Sequence, residues 1–354
     1  MLIRVNLASF PLGKTLAKDL YSADGHLLMP KGLVLKDHHL QQLVQRGYQY
    51  IFILEEEDNK SKSISTSATE KAQTESRLPQ AFSNAVEGIR DMMSSVSSGH
   101  MVKPSEVEES INIIYPEVIG TNNVLKQLSN LRKKDEYTLQ HSVSVGVMAI
   151  KIGQAMELPA DQLKNLGVAG LLHDIGKCKI SLEIINKPGP LNAEEFKEIQ
   201  KHPIYGYQIV KDIKLADTGI ASAVLQHHEH QDGNGYPMGT TGEQISLYAN
   251  IIAVADVFDA LTSDRAYRPR MPLLEASEMI VKNTCGHLDP VIARRLLAYI
   301  LDIMTGETVI LNTGEKATVV MINELDPTRP LIKIGDQFVD LKVQRNLSIQ
   351  SLVS

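Results

Sequence analysis

The chain has 354 residues, more than one compact domain usually needs, with 43% hydrophobic and 22% charged residues. Its formal net charge of −6 comes without a long basic run, which argues against duplex nucleic acid as a main partner, because phosphate backbones need clustered Lys and Arg. The two cysteines, Cys178 and Cys285, cannot make a disulfide framework and fit a reducing cytoplasm.

Taken in chain order, the start MLIRVNLASFPLGKTL lacks the apolar core of a signal peptide. IRVNL (3–7), HLLMPKG (26–32) and YQYIFILE (48–55) read as short strands or turns. Between them DHHLQQLVQRG reads as a helix ending at Gly47. A small α+β domain is therefore expected over 1–57, a candidate for regulation. It lacks the acidic pair and βα alternation of a phosphorelay receiver. The stretch EDNKSKSISTSATEKAQTES is polar and free of aromatics, a linker composition, and 58–78 is read as the linker.

From 79 to 303 the chain is predicted to be mainly α-helical. AFSNAVEGIRDMMSSV, PSEVEESINIIYPEVI, NNVLKQLSNLRKK, HSVSVGVMAIKIGQAM and QLKNLGVAGLLHDIG carry apolar residues at three- and four-residue steps. PIYGYQIVKDI, TGIASAVLQHH, SLYANIIAVADVFDAL, PLLEASEMIVKN and PVIARRLLAYILDIM follow the same rule. The helices in 77–133 could serve a homodimer, although apolar stripes usually serve the chain's own core. No GxxxxGK phosphate loop occurs, and no apolar run reaches the roughly 18 residues a membrane span needs. Residues 304–354 are β-rich: ETVILNT, KATVVMIN, PLIKIG and FVDLK are separated by Gly, Pro, Asn and Asp, which predicts a small antiparallel sheet packed on the helices.

Six of the eleven histidines stand on or beside these segments: His141, His173, His202, His227, His228 and His230. A lone helical His is usually structural. Here His173 is followed by Asp174 and His227 by His228, at the ends of apolar runs where inward polar pairs are costly unless satisfied. Imidazole and carboxylate suit divalent Fe, Mn or Zn. Adjacent helical residues diverge by about 100°, so one pair cannot chelate one ion compactly, whereas two ions sharing the Asp174 carboxylate use such pairs well. Asp256 interrupts the apolar helix IIAVADVFDAL, where a capping or surface role fits poorly. Two ions about 3.5–4 Å apart suit phosphodiester hydrolysis, with a bridging hydroxide as nucleophile. No GxSxG context offers a serine nucleophile.

LLHDIGK (171–177) and HHEHQDGNGYP (227–237) resemble the paired signatures of the HD-GYP family, HD-superfamily phosphohydrolases that degrade cyclic di-GMP. The resemblance runs from about Tyr137 to Arg268. It implies an HD-type helical bundle and a phosphodiesterase that opens cyclic di-GMP to linear pGpG or on to GMP. A cyclic GMP–AMP substrate, or a non-catalytic scaffold of the same fold, is the alternative. It implies metal ligands at His141, His173, Asp174, His202, His227, His228 and Asp256, with Asp174 the bridge. Lys177 would contact the substrate phosphate and assist the leaving oxygen. Arg265 and Arg268 would hold phosphates, the second standing where a lysine is common. Gly235, Tyr236 and Pro237 would form a rigid loop at the substrate, with Tyr236 an exposed aromatic for base stacking or for contact with diguanylate cyclase domains. Some members hold a third metal with a Glu four residues before the first His. Here that position is Tyr137, and Glu136 is off the helix face, so two ions, Fe or Mn, are expected rather than three.

Overall fold

The computed structural model describes residues 2–6, 14–16, 20–21, 27–36, 38–39, 43, 50–54, 77–121, 123–131, 137–263, 270–282, 286–323, 326 and 328–352. The chain forms two compact units, Met1–Thr74 and Glu75–Ser354. In the first, β1 (Leu2–Asn6), β5 (Tyr50–Leu54) and β2 (Thr15–Leu16) form an antiparallel sheet in the order β1-β5-β2. A separate ribbon pairs β3 (Leu20–Tyr21) with β4 (Leu27–Met29). Leu16, Leu35 and Leu43 are fully buried, so even this small unit has an apolar centre. Residues 38, 39 and 43 are helical, while Gly47 as the helix end and the 58–76 linker lie outside the described residues.

The second unit is helical up to Met304. Helix α1 (Leu78–Ser97) buries Leu78, Ala81, Phe82, Ala85, Val86, Ile89, Met92 and Val96, the three- and four-step stripe of a helix packed on one side. It is followed by α2 (Pro104–Gly120), α3 (Val124–Leu131), α4 (Tyr137–Ala155) and α5 (Ala160–Leu172). A 3-10 helix, Ile175–Lys179, and two short helices, α6 (Leu182–Ile185) and α7 (Ala193–Ile199), lead to α8 (His202–Ile213) and α9 (Thr218–Gln226). Helices α10 (Leu247–Thr262), α11 (Leu273–Lys282) and α12 (Pro290–Met304) complete the bundle. Central α4 and α10 are apolar nearly all round: Val143, Val145, Val147, Met148, Ala149, Ile150 and Ile152 are buried on the first, Ile251, Ile252, Val254, Ala255 and Phe258 on the second. A polar group on either helix therefore meets the interior.

Two close approaches set the geometry around the polar centre. Helices α4 and α5 meet at glycines, where a Cβ on Gly170 would lie 2.5 Å from the Gly146 Cα. A Cβ on Gly176 would sit 2.5 Å from the Gly206 nitrogen and on top of the His202 carbonyl. The 3-10 turn after Asp174 is thus pressed onto the first turn of α8, and only glycine permits it.

After α12 the chain forms an antiparallel sheet in the order β10-β6-β7-β8-β9, from β6 (Thr308–Leu311), β7 (Lys316–Met321), β8 (Leu331–Ile334), β9 (Gln337–Asp340) and β10 (Ile349–Leu352). Val309, Leu311, Ala317, Val319 and Ile332 join the hydrophobic core of the helices. The sheet thus belongs to the same compact unit. Strand β10 was not among the predicted segments, since SIQSL is short and carries only one β-branched residue. The short α6 and α7 were also unread.

Replacing Gly170 with Ala is expected to force α4 and α5 apart and to destabilise the domain by about 1–3 kcal/mol. A thermal melt with an unshifted midpoint would refute the close crossing.

Candidate metal centre

The polar cluster lies where helix ends meet central helices. His141 sits one turn into α4 and Asp256 in the middle of α10. His173 ends α5, and Asp174 opens the 3-10 turn. His202 is the first residue of α8, and His227 caps the end of α9.

Helix C-termini leave carbonyls without intrahelical donors. Three of the imidazoles supply donors. His173 Nδ1 lies 2.7 Å from the Gly170 carbonyl, His202 Nδ1 2.8 Å from that of Ile199, and His227 Nδ1 2.8 Å from that of Val224. A carbonyl can only accept, so the hydrogen is on Nδ1 and the Nε2 lone pair is left to face the cluster. His141 is held differently: its Nδ1 donates to Asp259 Oδ2 at 2.8 Å, and its Nε2 lies 3.1 Å from Asp256 Oδ1. Asp259 lies one turn after Asp256, is 1% exposed, and also accepts from the Ser263 hydroxyl.

The donor atoms converge in two groups. Asp174, His202, His227 and His228 offer ligand atoms all within 4.8 Å of one another, and so do His141, His173 and Asp256. Asp174 touches both. Its Oδ2 lies 3.4 Å from His173 Nε2 and 3.9 Å from His141 Nε2, while its Oδ1 lies 3.3 Å from His202 Nε2. Lys177, half-buried, donates to Asp174 Oδ2 at 2.5 Å.

The electrostatics keep these groups ready to bind a cation. Burial pushes the His228 imidazole down to about 3. Burial, together with the neighbouring His228, His173 and His202, holds His227 well below the usual range. Burial alone would raise the Asp174 carboxyl, but Lys177 and the imidazoles of His173 and His202 hold it well below the ordinary value. Asp256 behaves likewise, with His141 overriding burial. His141 is the exception: burial lowers it, but the carboxylates of Asp256 and Asp259 raise it to about 10. His227 and His228 are therefore neutral imidazoles and Asp174 and Asp256 ionised carboxylates, the donor chemistry of borderline divalent ions, while His141 gives up a proton when a cation takes its place. Buried His173 Nε2 and Asp174 Oδ1 have no hydrogen-bond partner. Such orphans are costly, and a cation between them satisfies both. The residues present fit a pair of divalent ions.

All seven expected ligands are brought together. The pair His227 and His228 departs from the helical argument, because both fall in one group. The helix ends at His227, so the 100° rule does not govern His228. His230 is outside the cluster and stacks on His287 at 4.4 Å. Tyr236 is not the exposed aromatic expected: it is half-buried, with its ring stacked on His228 at 4.7 Å and 27°. Arg265, Arg268 and Glu136 lie outside the described residues, as does the Tyr137 side chain.

Glu229 was missed by sequence reading. It is 2% exposed, and its two carboxylate oxygens accept the backbone N–H groups of Met238 (2.7 Å) and Thr240 (2.9 Å). Tyr236 N–H donates to the His228 carbonyl, and a Cβ on Gly235 would come within 2.5 Å of that oxygen. The loop is wrapped around the 228–230 backbone, with Glu229 as its peg. A Glu between His228 and His230 gives no periodic signal. Only its position inside HHE marked it.

The helical fold is that of an HD domain, and its two-pocket cluster of His and Asp could hold metal ions. Residues 123–292 match the protein family described as HD domain, and the two signatures within them are similar to those of the HD-GYP family. The chain is 34% identical over 252 residues, 71% of its length, to the cyclic di-GMP phosphodiesterase PA4108 of Pseudomonas aeruginosa, of which it spans 61%. It is 39% identical over 157 residues to the 3'3'-cGAMP-specific phosphodiesterase 3 of Vibrio cholerae, covering 44% of this chain and 34% of that protein. In fold it resembles Bd1817, an HDG"Y"P protein of Bdellovibrio bacteriovorus, with a TM-score of 0.54 at 16% identity over 85% of this chain and 99% of that one. Among the described residues no helix is long and apolar enough to cross a membrane.

Glu229→Ala would leave two loop N–H groups without their acceptor, and a loss of about 1–3 kcal/mol is expected. Glu229→Gln, which keeps one acceptor, should lose less. Equal melting points for the two variants would contradict the peg.

Proposed function

We propose that this chain is a phosphodiesterase for cyclic dinucleotides, with cyclic di-GMP the first candidate substrate and 3'3'-cGAMP the second. The observation that carries the reading is Asp174, one carboxylate oxygen turned to each pocket. That is the arrangement a carboxylate shared by two ions requires. The relatives named for cyclic di-GMP and for cGAMP support the substrate class.

His141, His173 and Asp256 would hold one ion, His202, His227 and His228 the other, and Asp174 both. When bound, a pair of divalent ions supplies Lewis acidity toward a phosphodiester and lowers the pKa of coordinated water. The chain's residues do the rest. The Nδ1 bonds fix each imidazole, so little reorganisation is left for the moment of reaction. Lys177 holds its ammonium against Asp174 and is partly exposed, so it could bind a phosphate oxygen and give a proton to the departing one. Tyr236 walls the cluster at His228. Burial and the carboxylates of Asp174 and Asp256 push its phenol up, so it stays a neutral donor. Gly235 and Pro237 shape the turn that presents it. A base or sugar of the substrate would lie against this loop.

Purified protein loaded with Mn(II) or Fe(II) under reducing conditions should convert one of the two cyclic dinucleotides into a linear product, read by chromatography. No product from either would sink the proposal. Asp174→Ala should lose bound metal and turnover together. Lys177→Met should keep its metal and lose about 10²–10³-fold in kcat. Unchanged kcat in Lys177→Met would remove that residue from the chemistry.

A further inference from the structure

The two pockets are made of unequal donors. Pocket one has two imidazoles, His141 and His173, and an unshared carboxylate, Asp256. Among the described residues, pocket two has three imidazoles, His202, His227 and His228, and only the shared carboxylate Asp174. A dication gains more from an ionised carboxylate than from a neutral imidazole in a poorly hydrated site, because Coulomb attraction is weakly screened there.

A second difference points the same way. In pocket two, His202 and His227 donate Nδ1–H to backbone carbonyls, and so does His173 in pocket one. His141 instead donates to the buried carboxylate of Asp259. A carboxylate behind an imidazole fixes its orientation and raises the basicity of the other nitrogen, a stronger effect than a carbonyl has. The Ser263 hydroxyl holds Asp259 from behind, so the chain His141–Asp259–Ser263 links α4 to the end of α10.

We propose that the pockets fill in order: the His141–His173–Asp256 pocket takes its ion first and keeps it, and the His202–His227–His228 pocket takes the second more weakly. Asp259 is the positioning residue that, through His141, sets this difference. The proposal rests on the two-ion reading above. It makes the second ion the one whose supply governs turnover.

The test uses the full-length apo protein and Co(II), whose ligand-field absorption reports each site. Two phases are expected, separated by at least about tenfold in affinity. Roughly one ion per chain should survive gel filtration in metal-free buffer. His228→Ala should remove the weak phase and keep the tight one. Asp259→Ala should weaken the tight phase by about 10–100-fold, and Asp259→Asn, whose amide oxygen can still accept from His141, should recover part of that loss. Circular dichroism checks that each variant is folded, and the Asn variant carries the test if the Ala variant is not. Two equal phases, loss of the tight phase in His228→Ala, or a wild-type tight phase in both Asp259 variants would overturn the order of filling. Those results would leave the two-ion reading standing. Failure of the wild-type protein to bind any Co(II) would overturn both.

Discussion

Each imidazole of the cluster whose Nδ1 partner is described gives that hydrogen to an acceptor outside the cluster, and this constraint organises the site. For His173, His202 and His227 the acceptor is a backbone carbonyl three residues back. The arrangement solves two problems at once. Helix ends need donors for their last carbonyls, and metal ligands need a fixed tautomer. Placing a His at or just past the end of a helix meets both needs without a further residue. It explains why these three histidines stand at the ends of α5, α7 and α9 rather than along their faces.

Glycine makes the convergence possible. The cluster draws on segments far apart in sequence, and their backbones must approach more closely than side chains allow. Gly176 against the first turn of α8 brings Asp174 beside His202. Gly235 against the His228 carbonyl brings Tyr236 onto the imidazole of His228. In both places the contact is to backbone, which cannot move aside as a flexible side chain can.

Carboxylates divide the labour. Asp174 and Asp256 face the pockets, Asp259 stands behind His141, and Glu229 holds the loop through two N–H bonds. All four are acidic side chains largely withdrawn from solvent, yet only the first two face the pockets. Residue type gives the capacity to accept a proton or bind a cation. Position decides which is used.

The sequence by itself determined the helical character of the domain, because three- and four-residue apolar spacing follows directly from 3.6 residues per turn. Through the resemblance of its motifs to the HD-GYP signatures it also pointed to all seven clustered residues, although only His173, Asp174, His227 and His228 lie within the two motifs. It did not reach α6, α7 or β10, which are too short for periodicity to register. It could not separate Asp259 from Asp256 in function, since both interrupt the same apolar helix one turn apart, and only the placement of α4 decides which one meets His141 Nδ1. That His227 and His228 fall in one pocket depends on where α9 stops. The tertiary structure alone decided the division into two unequal pockets. Donor atoms are shared out by distances of 3–4 Å between segments, and no one-dimensional pattern encodes those distances.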